Sequence, residues 1–205
     1  MAETAKAPPS TRERLLLTAA QLFRRQGLAG TGLKQVVAEA GVPWGSLYHF
    51  FPGGKAAFAA AVIRHSGARY EKLIALAFER GGDPVEGTRL MYGYSAQALT
   101  ESDYGDGCPI GTVALDTAST SAPVREACAD AFAGWHALIA GQLVDAGLPA
   151  PQAETLAGFS IATFEGAIML ARTRRDTVPM EQACETVCGV LASALAAPDQ
   201  SSSSR

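Results

Sequence analysis

The chain predicts an all-α fold of about nine helices, with a compact three-helix unit at the N-terminus and a larger helical domain behind it. Three observations carry this expectation. Apolar residues recur at helical spacing over long stretches of the chain. The 205 residues are 48% apolar yet only 7% aromatic, with alanine abundant and charged residues at 18%, which suits a soluble helical protein. The run Leu33 to Phe50, LKQVVAEAGVPWGSLYHF, reads as two short helices across a tight turn, the outline of a helix-turn-helix.

Taken in order, residues 1–9 hold Pro8-Pro9 and no apolar stripe, so they are expected to be a disordered leader. Ser10 or Thr11 should cap the first helix, with Leu15, Leu16, Ala19, Ala20, Leu22 and Phe23 on its inner face and Gly27 ending it. Arg24 and Arg25 then fall in the last turn, where positive charge suits the helix dipole. In the next helix Leu33, Val36, Val37 and Ala40 share one face. Gly41 stands where a helix end favours a left-handed residue, Val42 offers an apolar contact across the turn, and Pro43 suits a first helical turn. The third helix, from about Pro43 to Phe50, is expected to turn Leu47 and Phe50 inward and leave Trp44, Ser46, Tyr48 and His49 to face outward or lie on the flanks.

Gly53-Gly54 should open a long fourth helix from about Lys55 to Arg80. Its free N-terminal amides and the Lys55 charge would favour a phosphate. Ala56, Phe58, Ala59, Val62 and Ile63 are expected to pack on the N-terminal domain, and Tyr70, Leu73, Ile74 and Ala77 on the larger one. Gly81-Gly82-Asp83-Pro84 breaks the helix. Five more follow near 84–102, 109–119, 122–146, 150–174 and 179–196. The resulting domains are 1–9, 10–55, 56–197 and a disordered polar tail, 198–205, too polar to bury a core.

Charge is divided along the chain. Residues 1–65 hold eight Lys/Arg against three Asp/Glu, a balance of +5, and residues 66–205 hold nine against seventeen, a balance of −8. A basic N-terminal domain on an acidic remainder suits a phosphate-binding head on a body that avoids nucleic acid. No apolar run approaches the ~20 residues of a membrane span, and MAETAKAPPS lacks the apolar core of a signal peptide, so a cytoplasmic protein without membrane partners is expected. Cys108, Cys128, Cys184 and Cys188 show no zinc-type pairing with histidine, so no metal and no cofactor is expected. The thiols read as buried small hydrophobes. A redox switch through Cys184 and Cys188, four apart on one helix face, or through Cys108 is the alternative. The three histidines, His49, His65 and His136, sit in none of the hydrolase, metalloprotease or phosphate-loop motifs, and an enzyme is not expected.

The wording of the turn carries a resemblance. Gly30-Thr31, Ala40-Gly41-Val42, Gly45-Ser46-Leu47-Tyr48-His49-Phe50 and Phe51-Pro52-Gly53-Gly54-Lys55 closely resemble the DNA-binding segment of TetR-family bacterial regulators over roughly Thr11 to Arg64. The Pro-Gly-Gly-Lys form is similar to the LmrA/YxaF-like branch, as is Gly107-Cys108-Pro109-Ile110-Gly111 further on. The resemblance implies a transcriptional regulator, usually a repressor, bound to a near-palindromic operator and associated with the nucleoid when bound. Thr31, Tyr48, His49 and Lys55 would meet phosphates; Trp44, Gly45 and Ser46 would lie at base edges. Trp44 departs from the small or basic residue of many relatives, and its indole could donate one hydrogen bond and pack on a thymine methyl or a sugar. The last two helices would form a homodimer, and small residues do recur along them.

A small-molecule effector is implied as well. Tyr92, Tyr94, Tyr104, Cys108, Phe132, Trp135, His136, Phe159, Phe164 and Met169 are the residues available to line its site, with Trp135 and Phe164 the preferred pair. Such a lining would accept a flat, mostly apolar or aromatic molecule.

Overall fold

The computed structural model describes residues 8–117 and 119–197; the expected leader, apart from Pro8 and Pro9, and the tail lie outside them. Nine helices form among the described residues: α1 Thr11–Gln26, α2 Leu33–Glu39, α3 Trp44–Phe50, α4 Gly54–Gly81, α5 Pro84–Glu101, α6 Pro109–Thr117, α7 Ala122–Asp145, α8 Ala150–Arg174 and α9 Val178–Ala196. The all-α expectation holds, and each boundary falls within about two residues of its sequence-based position.

Packing gathers these helices into two compact units. Among the described residues, the first joins those up to Ser66 with Pro109–Ala129, and the second joins Gly67–Cys108 with those from Asp130 on. This grouping by contact cuts across the sequence boundary at 55/56, because α6 and the start of α7 pack with the N-terminal helices.

In the first unit, Ser10 caps α1 by accepting from the Glu13 N–H at 3.2 Å, satisfying one of the orphan donors of the first turn. Leu15, Leu16, Ala19, Leu22 and Phe23 bury the inner face of α1, which packs on α2 and α3; Val36, Val37, Leu47, Phe58 and Ile63 are buried in the same unit. Asp116 on α6 accepts from the Ala29 N–H at 2.9 Å, which ties α6 to the loop after α1.

In the second unit α9 packs on both α8 and α5. Asp83 caps α5 through the Val85 and Glu86 amides at 2.8 and 2.9 Å. Ala153, Ala157, Ala167 and Ala171 of α8 are buried, as are Met180, Cys184, Val187, Cys188 and Leu191 of α9. The indole N–H of Trp135 donates to the Gly67 carbonyl at 3.0 Å, joining α7 to α4. Two expectations for α4 fail. Leu73 is 49% exposed and Ala56 is exposed, since the buried stripe runs through Phe58, Ala59, Val62, Ile63, Ser66, Ile74 and Ala77 and leaves both to one side. No helix among the described residues is long and apolar enough to cross a membrane.

Candidate nucleic-acid interface

The turn between α2 and α3 is fixed by backbone chemistry. Gly41 takes φ 62°, a conformation costly for a side chain-bearing residue. Its N–H donates to Ala38 at 3.1 Å and that of Val42 to Val37 at 3.2 Å, a Schellman closure with Val37 and Val42 both buried. Arg14 of α1 donates to the Gly41 carbonyl at 2.7 Å, so the turn is also held from outside. Sequence reasoning missed this arginine, whose partner lies 27 residues away.

The α3 helix starts at Trp44, with Pro43 in extended conformation as its N-cap. Leu47 is fully buried, and at about 100° per residue the arc opposite it is occupied by Tyr48, Gly45, His49 and Ser46, with Trp44 on its flank. Trp44 and Tyr48 are 42% and 47% exposed and pack edge-to-face at 5.5 Å. Nothing stands within 4 Å of the position a Cβ would take at Gly45. His49 is exposed and Ser46 half-buried. The sequence had Phe50 facing inward; it is exposed instead and lies against His49 at 4.8 Å. Phe51, the residue after the helix, is the buried one, edge-on to Phe58 at 4.8 Å with the Arg12 guanidinium over its ring at 5.4 Å.

Lys55 is exposed at the start of α4, behind Gly54 at φ 74°. Thr31 requires a correction. It is 1% exposed, and its hydroxyl donates to the Gly27 carbonyl at 2.6 Å. It closes the loop after α1 rather than offering itself to a phosphate. Around it the Gln26 amide donates to Gly30 at 2.7 Å and to Gln35 at 3.0 Å, and Gln35 in turn donates to Glu39 at 2.9 Å.

The residues proposed for an effector do not form one cluster. Tyr92 is buried, edge-on to Phe164 at 5.1 Å, and its hydroxyl has no partner. Beside Phe164 stands Glu165, whose Oε1 is likewise buried without a partner; burial pushes this carboxyl up from its ordinary range, opposed by a hydrogen bond with Cys108. Trp135 lies elsewhere, against Tyr70 at 5.8 Å and Phe132 at 5.4 Å, so the preferred pair of Trp135 and Phe164 is divided between two aromatic groups. His136 bonds the Glu154 carbonyl at 2.9 Å. Tyr104 is half-buried, its carbonyl and that of Gly105 accepting from Arg172 at 3.5 and 2.9 Å. Tyr94, Phe159 and Met169 are exposed. Glu165 is the member that the sequence did not reveal, because a lone glutamate between Phe164 and Gly166 reads as a solvated residue.

All four cysteines are buried thiols. The Cys184 and Cys188 sulfurs lie 3.9 Å apart. Burial, the largest cause at each, pushes Cys188 to about 12, Cys128 to about 11, and Cys184 upward. A thiol held protonated is a poor nucleophile and a slow partner in disulfide exchange. In the folded protein Cys184 and Cys188 should therefore react with a disulfide reagent only as fast as the protein opens. A stopped-flow trace matching the rate for a small exposed thiol would contradict this.

A turn closed by a left-handed glycine and a short helix with an exposed aromatic and polar arc together define a helix-turn-helix DNA-binding protein. Residues 15–62 match the description "Bacterial regulatory proteins, tetR family", and residues 84–186 match "Transcriptional regulator LmrA/YxaF-like, C-terminal domain". The chain belongs to the TetR family of bacterial transcriptional regulators. It is 38% identical over 170 residues to the uncharacterized HTH-type transcriptional regulator YxaF of Bacillus subtilis, spanning 83% of this chain and 89% of that one. It is 33% identical to the HTH-type transcriptional regulator LmrA of the same organism, over 83% of this chain and 90% of the relative. The solved regulatory protein TetR from Rhodobacter sphaeroides shares the fold with a TM-score of 0.79 at 23% identity, over 87% of this chain and 97% of that one. These relatives are transcriptional regulators, not enzymes.

Proposed function

We propose that this protein is a repressor that binds a near-palindromic operator as a homodimer and is released by a small, mostly apolar or aromatic effector. The observation that carries the reading is the outward arc of α3, where Tyr48, His49 and the bare backbone at Gly45 face away from the buried Leu47. The major groove accepts one such helix. Tyr48, His49 and Lys55 contact phosphates, which fix register without reading sequence. Trp44, Gly45 and Ser46 approach base edges. One seven-residue helix makes few base contacts, and a two-fold pair doubles them.

The dimer forms through α8 and α9, whose apolar side chains Phe159, Met169, Leu170 and Val190 are exposed in the single chain. The effector sits in the second unit beside Tyr92, Phe164 and Cys108, with the Tyr92 hydroxyl and Glu165 Oε1 as its polar partners, since a buried polar atom favours a hydrogen-bond partner. Shifting the protein from 99% operator-competent to 99% released takes about 5.5 kcal/mol of differential affinity. The continuous helix α4 is the element that transmits the shift.

Selection from random DNA, followed by sedimentation of the enriched duplex with protein, tests the reading. A two-fold consensus carrying protomers in even number is expected; an asymmetric site saturated by one protomer would overturn it. Lys55→Ala is expected to weaken binding to all duplexes alike and to lower the slope of log K against log salt by about 0.9 per protomer. An unchanged slope would remove Lys55 from the phosphate contacts.

A further inference from the structure

The side chains that most often discriminate bases in the major groove are bidentate, Arg or Lys to guanine and Asn or Gln to adenine. The recognition helix α3, Trp44–Phe50, contains none of them, nor any carboxylate. On α2 the Gln35 amide is occupied, accepting from Gln26 and donating to Glu39. What α3 offers instead is a large apolar plane. The Trp44 indole has a single donor and no acceptor. It projects with 42% of its surface exposed, is steadied edge-to-face by Tyr48 at 5.5 Å, and stands next to a glycine with open space over its Cα. A plane beside a gap lets the backbone approach the groove floor while the ring lies along it. The apolar feature of that floor is the C5-methyl group of thymine.

We propose that Trp44, held by Tyr48, reads a thymine methyl in each operator half-site, so that this methyl, rather than a bidentate hydrogen-bond pair from α3, sets the base preference there. The inference rests on the DNA-binding reading above and names the group recognised. Burying one methyl against the indole is worth about a four-fold change in affinity, and about sixteen-fold when both half-sites contribute.

The test uses the full-length protein and the duplex enriched from random DNA. Each thymine is replaced in turn by deoxyuridine, which keeps the base pair and removes only the methyl. Binding is read by anisotropy at one salt concentration, for the wild type and for Trp44→Ala, with helical content checked by circular dichroism. At one thymine per half-site the wild type should lose about four-fold, and Trp44→Ala should bind the thymine and deoxyuridine duplexes equally. Two results would overturn the inference: no deoxyuridine substitution matters, or the same loss persists in Trp44→Ala. If no duplex is enriched at all, it is the DNA-binding reading that fails, and the inference falls with it.

Discussion

Leu47→Ala is expected to cost the N-terminal unit about 2–5 kcal/mol and with it specific operator binding. Leu47 is fully buried at the centre of α3 and is the only buried residue of that helix. Without it the seven-residue helix has no apolar anchor, and a helix that short is not stable by itself. Native-state hydrogen exchange should show the amides of α3 losing most of their protection while α8 and α9 keep theirs. Protection in α3 equal to that of the wild type would mean that the helix is held by something other than its one buried side chain.

Gly87→Val carries the second large effect, in the other unit. A Cβ at Gly87 would stand 2.6 Å from Cδ1 of the Phe78 ring and 2.8 Å from the Phe78 Cα. The ring, itself buried, has little room to turn, and the Cα belongs to the helix backbone. Overpacking of this kind costs about 1–3 kcal/mol, and the branched side chain belongs at the upper end. Removing a helical glycine returns only about 0.4 kcal/mol when valine replaces it. A melting temperature lower by roughly 6–12 °C is expected for a chain of this size. An unchanged or raised melting temperature would show that α4 and α5 separate at little cost.

These two sites differ in how far they could be read beforehand. Leu47 was legible because its neighbours form a local pattern, a glycine turn followed by one apolar position in a short helix. Gly87 was not, because its constraint comes from Phe78 across the corner. The same division runs through the candidate site. Trp44, Ser46, Tyr48 and His49 were placed outward or on the flanks by helical periodicity; Trp44, Tyr48 and His49 are exposed and Ser46 is half-buried. Phe51 takes the buried place expected of Phe50, because α3 ends at Phe50 and the next residue leaves the helix at φ −136°. Thr31 was read as a phosphate contact at a helix start, whereas its hydroxyl donates to the carbonyl of Gly27. Asp116 and Glu165 had no local signal at all. One meets the Ala29 amide 87 residues earlier, and the other hydrogen-bonds Cys108, which is distant in the sequence. Periodicity assigns a face; it does not say what will arrive to cover it.

Sequence reading by α3 is tested by anisotropy of a labelled, selected operator titrated with protein over about 50 to 200 mM salt, beside a scrambled duplex of equal composition. Tight binding to the operator, weak binding to the scrambled duplex, and for both a linear fall of log K with log salt are expected. Equal affinity for the two duplexes at every salt concentration would contradict this, because the arc of α3 would then be reading no sequence.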